Sequence, residues 1–186
     1  GMLAAYYSIT GRKDIKNVTA NEESDIYMPL ANNPDAEHGG NAHFVICDEI
    51  HTFKDRYLYD VMKTSMSARD QPLIVSITTA DFARDSFCND MLAEAKRVCN
   101  DPNRNPKFMP VLYYTDEEEF GDDWKDPEVW KRVNPMIGTA KKWSYMEEMF
   151  TDACNEPTFT NTFKRLDLNL CTMAENQAFN MDKWRK

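Results

Sequence analysis

An α/β fold built on a mostly parallel sheet follows from three observations on the 186-residue chain. Apolar runs alternate with segments of helical period in the order strand, helix, strand, helix, strand. Two of these runs, Phe44-Val45-Ile46-Cys47 and Leu73-Ile74-Val75, are continuous rather than alternating, as strands covered on both faces are. The first ends in two adjacent carboxylates, Asp48 and Glu49, and the second is followed by Ser76-Ile77-Thr78-Thr79. At the carboxyl ends of parallel strands these groups would share the edge at which open α/β sheets bind ligands.

The elements follow in chain order. Residues 2–24 are ambiguous, with Tyr6-Tyr7-Ser8-Ile9 readable as a strand or as the end of a helix. Residues 25–30 read as a short strand closed by Pro29, and 32–41, with Pro34 and Gly39-Gly40, as a loop. Residues 44–47 are the first core strand. Over 54–66, Leu58, Val61, Met62 and Met66 recur at helical spacing. Residues 73–78 form the second buried strand, entered after Pro72. Asp85 is placed to cap a helix with Phe87, Met91, Ala95 and Val98 on one face, stopped by Asp101-Pro102-Asn103. Residues 108–114 read as a third strand, which Pro110 pushes toward an edge or a bulge. Asp126-Pro127 opens a short helix that Asn134-Pro135 ends. Beyond it, Trp143, Met146, Met149, Phe150 and Ala153 form one helical stripe, and Phe159, Phe163 and Leu166 another. The division expected is a sheet-bearing core over 1–126 and a helical segment over 127–186.

Composition narrows the function classes. With 42% hydrophobic and 28% charged residues, the chain can bury a core and is not disordered throughout. No apolar run approaches the ~18 residues of a membrane span, and the opening residues lack a signal sequence. Five cysteines without a C-x-x-C pair read as reduced thiols of a cytoplasmic protein rather than a zinc site. A net charge of −9 disfavours a surface that binds DNA all over, though not contact from one local loop. Asp116, Glu117, Glu118, Glu119, Asp122, Asp123 and Asp126 crowd together without the ligand alternation of a calcium loop, and read as a solvated loop.

The Asp48-Glu49 pair carries the chemistry. In ATPases the first of two such acids holds Mg²⁺, usually through water, and the second orients or deprotonates the attacking water. The same pattern fits a core strand running into a solvated turn. His43 and His51 bracket the pair, but a metal-hydrolase site would need a third ligand at short spacing.

The surrounding text decides between these readings. Phe44-Val45-Ile46-Cys47-Asp48-Glu49-Ile50-His51 is followed by Asp55-Arg56-Tyr57-Leu58-Tyr59-Asp60 and then by Arg69-Asp70-Gln71-Pro72-Leu73-Ile74-Val75-Ser76-Ile77-Thr78-Thr79. Downstream come Asp126-Pro127-Glu128-Val129-Trp130 with Asn134-Pro135, and Phe163-Lys164-Arg165-Leu166-Asp167-Leu168. Each block alone is unspecific, but in this order and spacing they resemble the large subunit of tailed-phage terminases, from about residue 25 onward. The resemblance implies part of a P-loop NTPase-like fold (RecA/ASCE-type), with a helix-rich C-terminal lid or linker segment. It implies that Glu49 is the catalytic carboxylate, Asp48 the Mg²⁺ holder, and Thr78 and Thr79 the coupling segment that senses the γ-phosphate. Arg69, at a position where the family often has an arginine, is a further possible site residue. The cofactors implied for the intact enzyme are Mg²⁺ and ATP. The partners implied are double-stranded DNA, the portal, the small terminase subunit and other large subunits.

The resemblance also marks what this sequence does not contain. No G-x-x-x-x-G-K-S/T phosphate-binding loop occurs, and Gly11-Arg12-Lys13 lacks its second glycine. Asp182-Lys183-Trp184 resembles the linker before the family's nuclease domain. The chain is therefore expected to be the second half of the ATPase domain, inactive by itself. The alternatives are a non-catalytic prophage remnant serving as an interaction or structural domain, and another P-loop ATPase such as a helicase.

Overall fold

The computed structural model describes residues 7–9, 15–17, 26–27, 29, 41–115 and 123–173. It is a mixed α/β structure. Among the described residues five strands, β1 (Tyr7–Ile9), β2 (Ile15–Asn17), β3 (Ile26–Tyr27), β4 (Phe44–Cys47) and β5 (Leu73–Ser76), alternate in part with helices. The helices are α1 (Tyr57–Ser65), α2 (Phe87–Asn100), α3 (Pro127–Val133), α4 (Trp143–Asn155) and α5 (Pro157–Leu168). The chain divides into two compact units, Gly1–His43 with Tyr57–Pro72, and Phe44–Arg56 with Leu73–Lys186. This division does not fall at residue 126: α3, α4 and α5 group with β4 and β5.

In the first unit, β1, β2 and β3 form an antiparallel sheet in chain order, so the ambiguous Tyr7–Ile9 stretch is a strand. Helix α1 buries Val61 and Met62, two of the residues expected at its helical spacing, with Met66 buried just beyond its end.

In the second unit, β4 and β5 pair in parallel, with Phe44 opposite Leu73 and Cys47 opposite Ser76. The expectation of strands buried on both faces is corrected. Only Val45 and Cys47 of β4 are buried, while Phe44, Ile46 and Leu73 are exposed on the opposite face. Apolar continuity therefore marked the strand but not its covering, because covering depends on what lies across the sheet.

Two further expectations are corrected. Ser86, not Asp85, caps α2: its backbone is extended and its hydroxyl accepts the Asn89 N–H at 3.2 Å. Residues 108–114 form no ladder with a described strand. The end of that segment is held by the C-terminus of α5 instead, where Thr115 N–H and its hydroxyl donate to Leu168 O and Asn169 Nδ2 donates to Tyr113 O. Pro110 removes a donor in the middle of the segment, which weakens any ladder it might join.

The start of α3 is as expected. Asp126 accepts the Glu128 N–H at 2.9 Å, and Pro127 occupies the first turn. The helical core gathers both stripes: Trp130, Val133, Met146, Ala153, Phe163 and Leu168 are buried, with Trp124 and Phe150 packed against them. Ring centroids of Trp130, Phe150 and Phe163 lie 5.0 to 6.2 Å apart in tilted and edge-on contacts, the separations that aromatic quadrupoles favour. The acidic run at 116–122, Gly11-Arg12-Lys13 and Asp182-Lys183-Trp184 lie outside the described residues.

Candidate functional site

The carboxyl ends of β4 and β5 bring four of the expected residues to one edge. The ladder runs one step past the strands, with Ile77 N–H donating to Cys47 O at 2.9 Å, and Ile50 N–H then donates to Ile77 O at 3.3 Å. Ile50 is buried and anchors the turn. Between these bonds the backbone must reverse, and Glu49 takes the left-handed conformation, φ 52° and ψ 50°. That conformation costs a non-glycine residue roughly 1–2 kcal/mol and persists only where its surroundings hold it. Here they do. Glu49 N–H donates to Asp48 Oδ1 at 2.9 Å, and the N–H and hydroxyl of Thr52 both donate to Glu49 O at 2.8 Å. The strained residue is the one expected to do the chemistry.

The side chains converge through His51, the residue two positions beyond Glu49. Its main-chain N–H donates to Thr78 Oγ1 at 3.1 Å, and its Nδ1 lies 3.1 Å from the same oxygen. The same Nδ1 is 3.2 Å from Glu49 Oε2 and 3.4 Å from Thr79 Oγ1. Thr78 donates its own proton to Thr79 O at 2.9 Å. Thr78 also lies 3.8 Å from Cys88 Sγ at the start of α2. Burial pushes the Cys88 thiol up, so it is a neutral S–H there. Asp48 and Glu49 remain exposed, as an acid pair offered to solvent must be.

Arg69 is not one of the gathered residues. It belongs to the first unit, where its Nε and Nη2 both donate to Asn41 O at 3.0 and 2.9 Å. The sequence reading also did not single out Asp81, just beyond the threonines. Its carboxylate is buried, accepts the Phe82 N–H at 2.7 Å, and pairs with Arg84 at 3.1 Å. Downstream, Ala83 N–H donates to Thr172 O and Cys171 Sγ to Asp81 O, tying the segment after Thr79 to the chain beyond α5.

As to a metal, the donor set is specific. Among the described residues no group of three or more His, Cys, Asp and Glu could hold an ion by protein ligands alone. An exposed single carboxylate such as Asp48 fits Mg²⁺ nonetheless, because that ion keeps several waters and takes one or two carboxylates plus substrate phosphates.

Comparison with known proteins accords with this geometry. Residues 7–97 match the family described as terminase large subunit, ATPase domain. The chain is 33% identical over 147 residues to protein YmfN of Escherichia coli, covering 79% of this chain and 32% of that protein. It is 27% identical over 132 residues to the terminase large subunit of Lactococcus phage p2, covering 71% of this chain and 24% of that one. The terminase large subunit of Enterobacteria phage HK97 is 26% identical over 146 residues, 77% of this chain and 27% of the relative. The chain thus spans about a quarter to a third of the length of the curated relatives it matches. No solved structure matches at comparable significance.

Proposed function

Because this chain belongs to the terminase large subunit family, we propose that it carries the acid pair and coupling segment of an ATP-driven motor that packages double-stranded DNA. One observation carries the reading: parallel pairing of β4 and β5 sets Asp48-Glu49 and Thr78-Thr79 at one edge, joined through His51 Nδ1. In this proposal β4 and β5 belong to a wider parallel sheet of the P-loop NTPase type. Glu49 orients the attacking water and takes its proton, a role worth roughly 10² to 10⁴ in rate. Asp48 would hold Mg²⁺ through water, and a bound ion would supply positive charge to offset that of the phosphates. The hydroxyls of Thr78 and Thr79 read the presence of the γ-phosphate beside Glu49. DNA, portal, small subunit and neighbouring large subunits are the partners of the motor, not of this segment by itself.

The 186 residues contain no Gly-rich Lys loop to cradle the phosphates, and positioning is most of the catalysis in phosphoryl transfer. The chain alone is therefore expected to hydrolyse ATP negligibly. Turnover near one per second with Mg²⁺, abolished by Glu49→Gln, would contradict that expectation. A second reading, supported by the similarity to an Escherichia coli protein, is a prophage-derived domain kept for interaction rather than catalysis. A chimera separates the two: residues 41–115 replace the aligned segment of the phage HK97 large subunit. The motor reading expects ATP hydrolysis to survive the exchange and to vanish with Glu49→Gln. A folded chimera without ATPase activity would sink it.

A further inference from the structure

We infer that His51 is a positioning residue of this site: its Nδ1 carries the proton, and through it the ring ties the Glu49 carboxylate to the Thr78 hydroxyl. The inference rests on the roles proposed above for Glu49 and Thr78, and adds a residue that the acid-pair pattern does not include.

The argument is a balance of donors and acceptors. Thr78 has one hydroxyl proton, given to Thr79 O at 2.9 Å. Its oxygen therefore acts as an acceptor toward everything else. The main-chain N–H of His51, at 3.1 Å, can only donate and takes one lone pair. His51 Nδ1, also at 3.1 Å, faces the other. The same Nδ1 meets Glu49 Oε2 at 3.2 Å, and an ionised carboxylate can only accept. The carboxylate decides the balance, because an Nδ1 lone pair facing it at 3.2 Å would be repelled, while the rotatable hydroxyls of Thr78 and Thr79, at 3.1 and 3.4 Å, can accept. Nδ1 then presents the N–H, hydrogen-bonded to Thr78 Oγ1 and close to the Glu49 carboxylate, and in the neutral ring Nε2 is left as the acceptor.

The consequence is positional. The Glu49 side chain is 54% exposed, and a carboxylate so placed samples several rotamers unless something holds it. The His51 ring is only 18% exposed and is fixed by its own backbone bond to Thr78. It holds one carboxylate oxygen toward β5 and leaves the other to a water. A shift of Thr78 toward a phosphate oxygen would pull on the same N–H that orients Glu49. The ring therefore supplies a two-bond link between the γ-phosphate sensor and the base.

The test reads the tautomer directly in the whole chain. Long-range ¹H–¹⁵N correlation of ¹⁵N-histidine protein, at a pH where the ring is neutral, distinguishes protonated from unprotonated ring nitrogens. His51→Gln assigns the His51 signals among the three histidines. Nδ1 is expected at the protonated shift and Nε2 at the unprotonated one, with Glu49→Ala and Thr78→Val each moving the ring toward the Nε2–H form that free imidazole favours. An Nε2–H ring in the unaltered chain overturns the inference, as does a tautomer indifferent to both substitutions. Rescue supplies the second measurement. His51→Asn keeps an amide near the Nδ1 position and is expected to preserve the Glu49 carboxyl and Thr78 methyl shifts, whereas His51→Gln loses them; equal loss in both overturns the role of Nδ1. The tautomer is read in the unaltered chain, and His51→Asn supplies the assignment where His51→Gln fails to fold. An Nδ1–H ring with an inactive chimera overturns the motor reading alone. An Nε2–H ring with an active chimera overturns only the role given to His51.

Discussion

Replacing Asp81 with Ala is expected to destabilise the second unit by about 2–3 kcal/mol, and the structure says which contacts set that figure. The carboxylate is 2% exposed, two residues beyond Thr79. It accepts the Phe82 N–H at 2.7 Å and three contacts from Arg84 at 3.1 to 3.3 Å. The Arg84 side chain is 56% exposed, so solvent screens that ion pair to below about 1 kcal/mol. A backbone bond to a charged acceptor is worth roughly 1.5–3 kcal/mol, and its removal strands a part-buried N–H. The buried hydrogen bonds from the Ser86 hydroxyl and the Phe82 N–H therefore dominate over the ion pair. Asp81→Asn keeps an acceptor and the volume, and is expected to cost less than half as much as Ala.

The acid side gives a second signature. Burial pushes the Asp81 carboxyl up, but the hydroxyl of Ser86, the Phe82 N–H and the Arg84 guanidinium together outweigh it and hold the group below its ordinary value. A carboxyl depressed in the folded state contributes its full stabilisation above the unfolded value, about 3.9, and loses it as pH falls through the folded value. Asp81→Asn should lack that loss. Urea unfolding followed by tryptophan fluorescence, at neutral pH and near about pH 3, reads both effects. A cost for Ala below about 0.5 kcal/mol, or an equal cost for Asn and Ala at neutral pH, would refute the assignment to the buried hydrogen bonds.

Three further outcomes are expected. Phe163→Ala removes a fully buried ring in contact with Trp124, Trp130 and Phe150, and should cost about 3–5 kcal/mol by the same unfolding assay; a loss under about 1 kcal/mol would displace it from the centre of the helical core. Lys141 Nζ donates to Asp167 Oδ1 at 2.8 Å and to Asn134 Oδ1 at 2.9 Å, with Asp167 buried, so Lys141→Met should cost about 2 kcal/mol and the double change with Asp167→Leu should recover much of it. Independent, additive costs in that cycle would mean that the pair is not coupled. The chain should leave plasmid DNA intact in Mn²⁺, since the exposed acids at the β4 edge are one adjacent pair rather than carboxylates spaced to hold two metals about 4 Å apart. Cleavage lost on changing Asp48 would reverse this expectation.

The sequence by itself determined what depends on near neighbours. The run at 44–47 became β4, the strand expected over 73–78 formed over Leu73–Ser76 as β5, and the helical spacing over 54–66 became α1 over Tyr57–Ser65. Asp126-Pro127 opened α3 because a cap and a first-turn proline act within three residues. The shared edge of Asp48-Glu49 and Thr78-Thr79 was legible for a related reason: parallel pairing of two strands leaves their carboxyl ends together wherever the connection runs. Contacts set by tertiary register were not legible. His51 meets Thr78 across 27 positions, and nothing local to His51 distinguishes a bridging imidazole from a loop histidine. Residues 108–114 carry a strand composition yet have no ladder with a described strand, because pairing belongs to two segments and not to one. The hydroxyl of Ser86 rather than the carboxylate of Asp85 caps α2, and Cys171 donates to Asp81 O while Thr172 bridges Phe82, contacts made only once α5 has brought the chain back. Periodicity and capping act within a turn or two of chain and can be read as text. Burial and side-chain bridges arise from residues distant in sequence, and at Glu49 the bonds of Ile77 to Cys47 and Ile50 across the two strands act together with the neighbours Asp48 and Thr52, so the fold decided them.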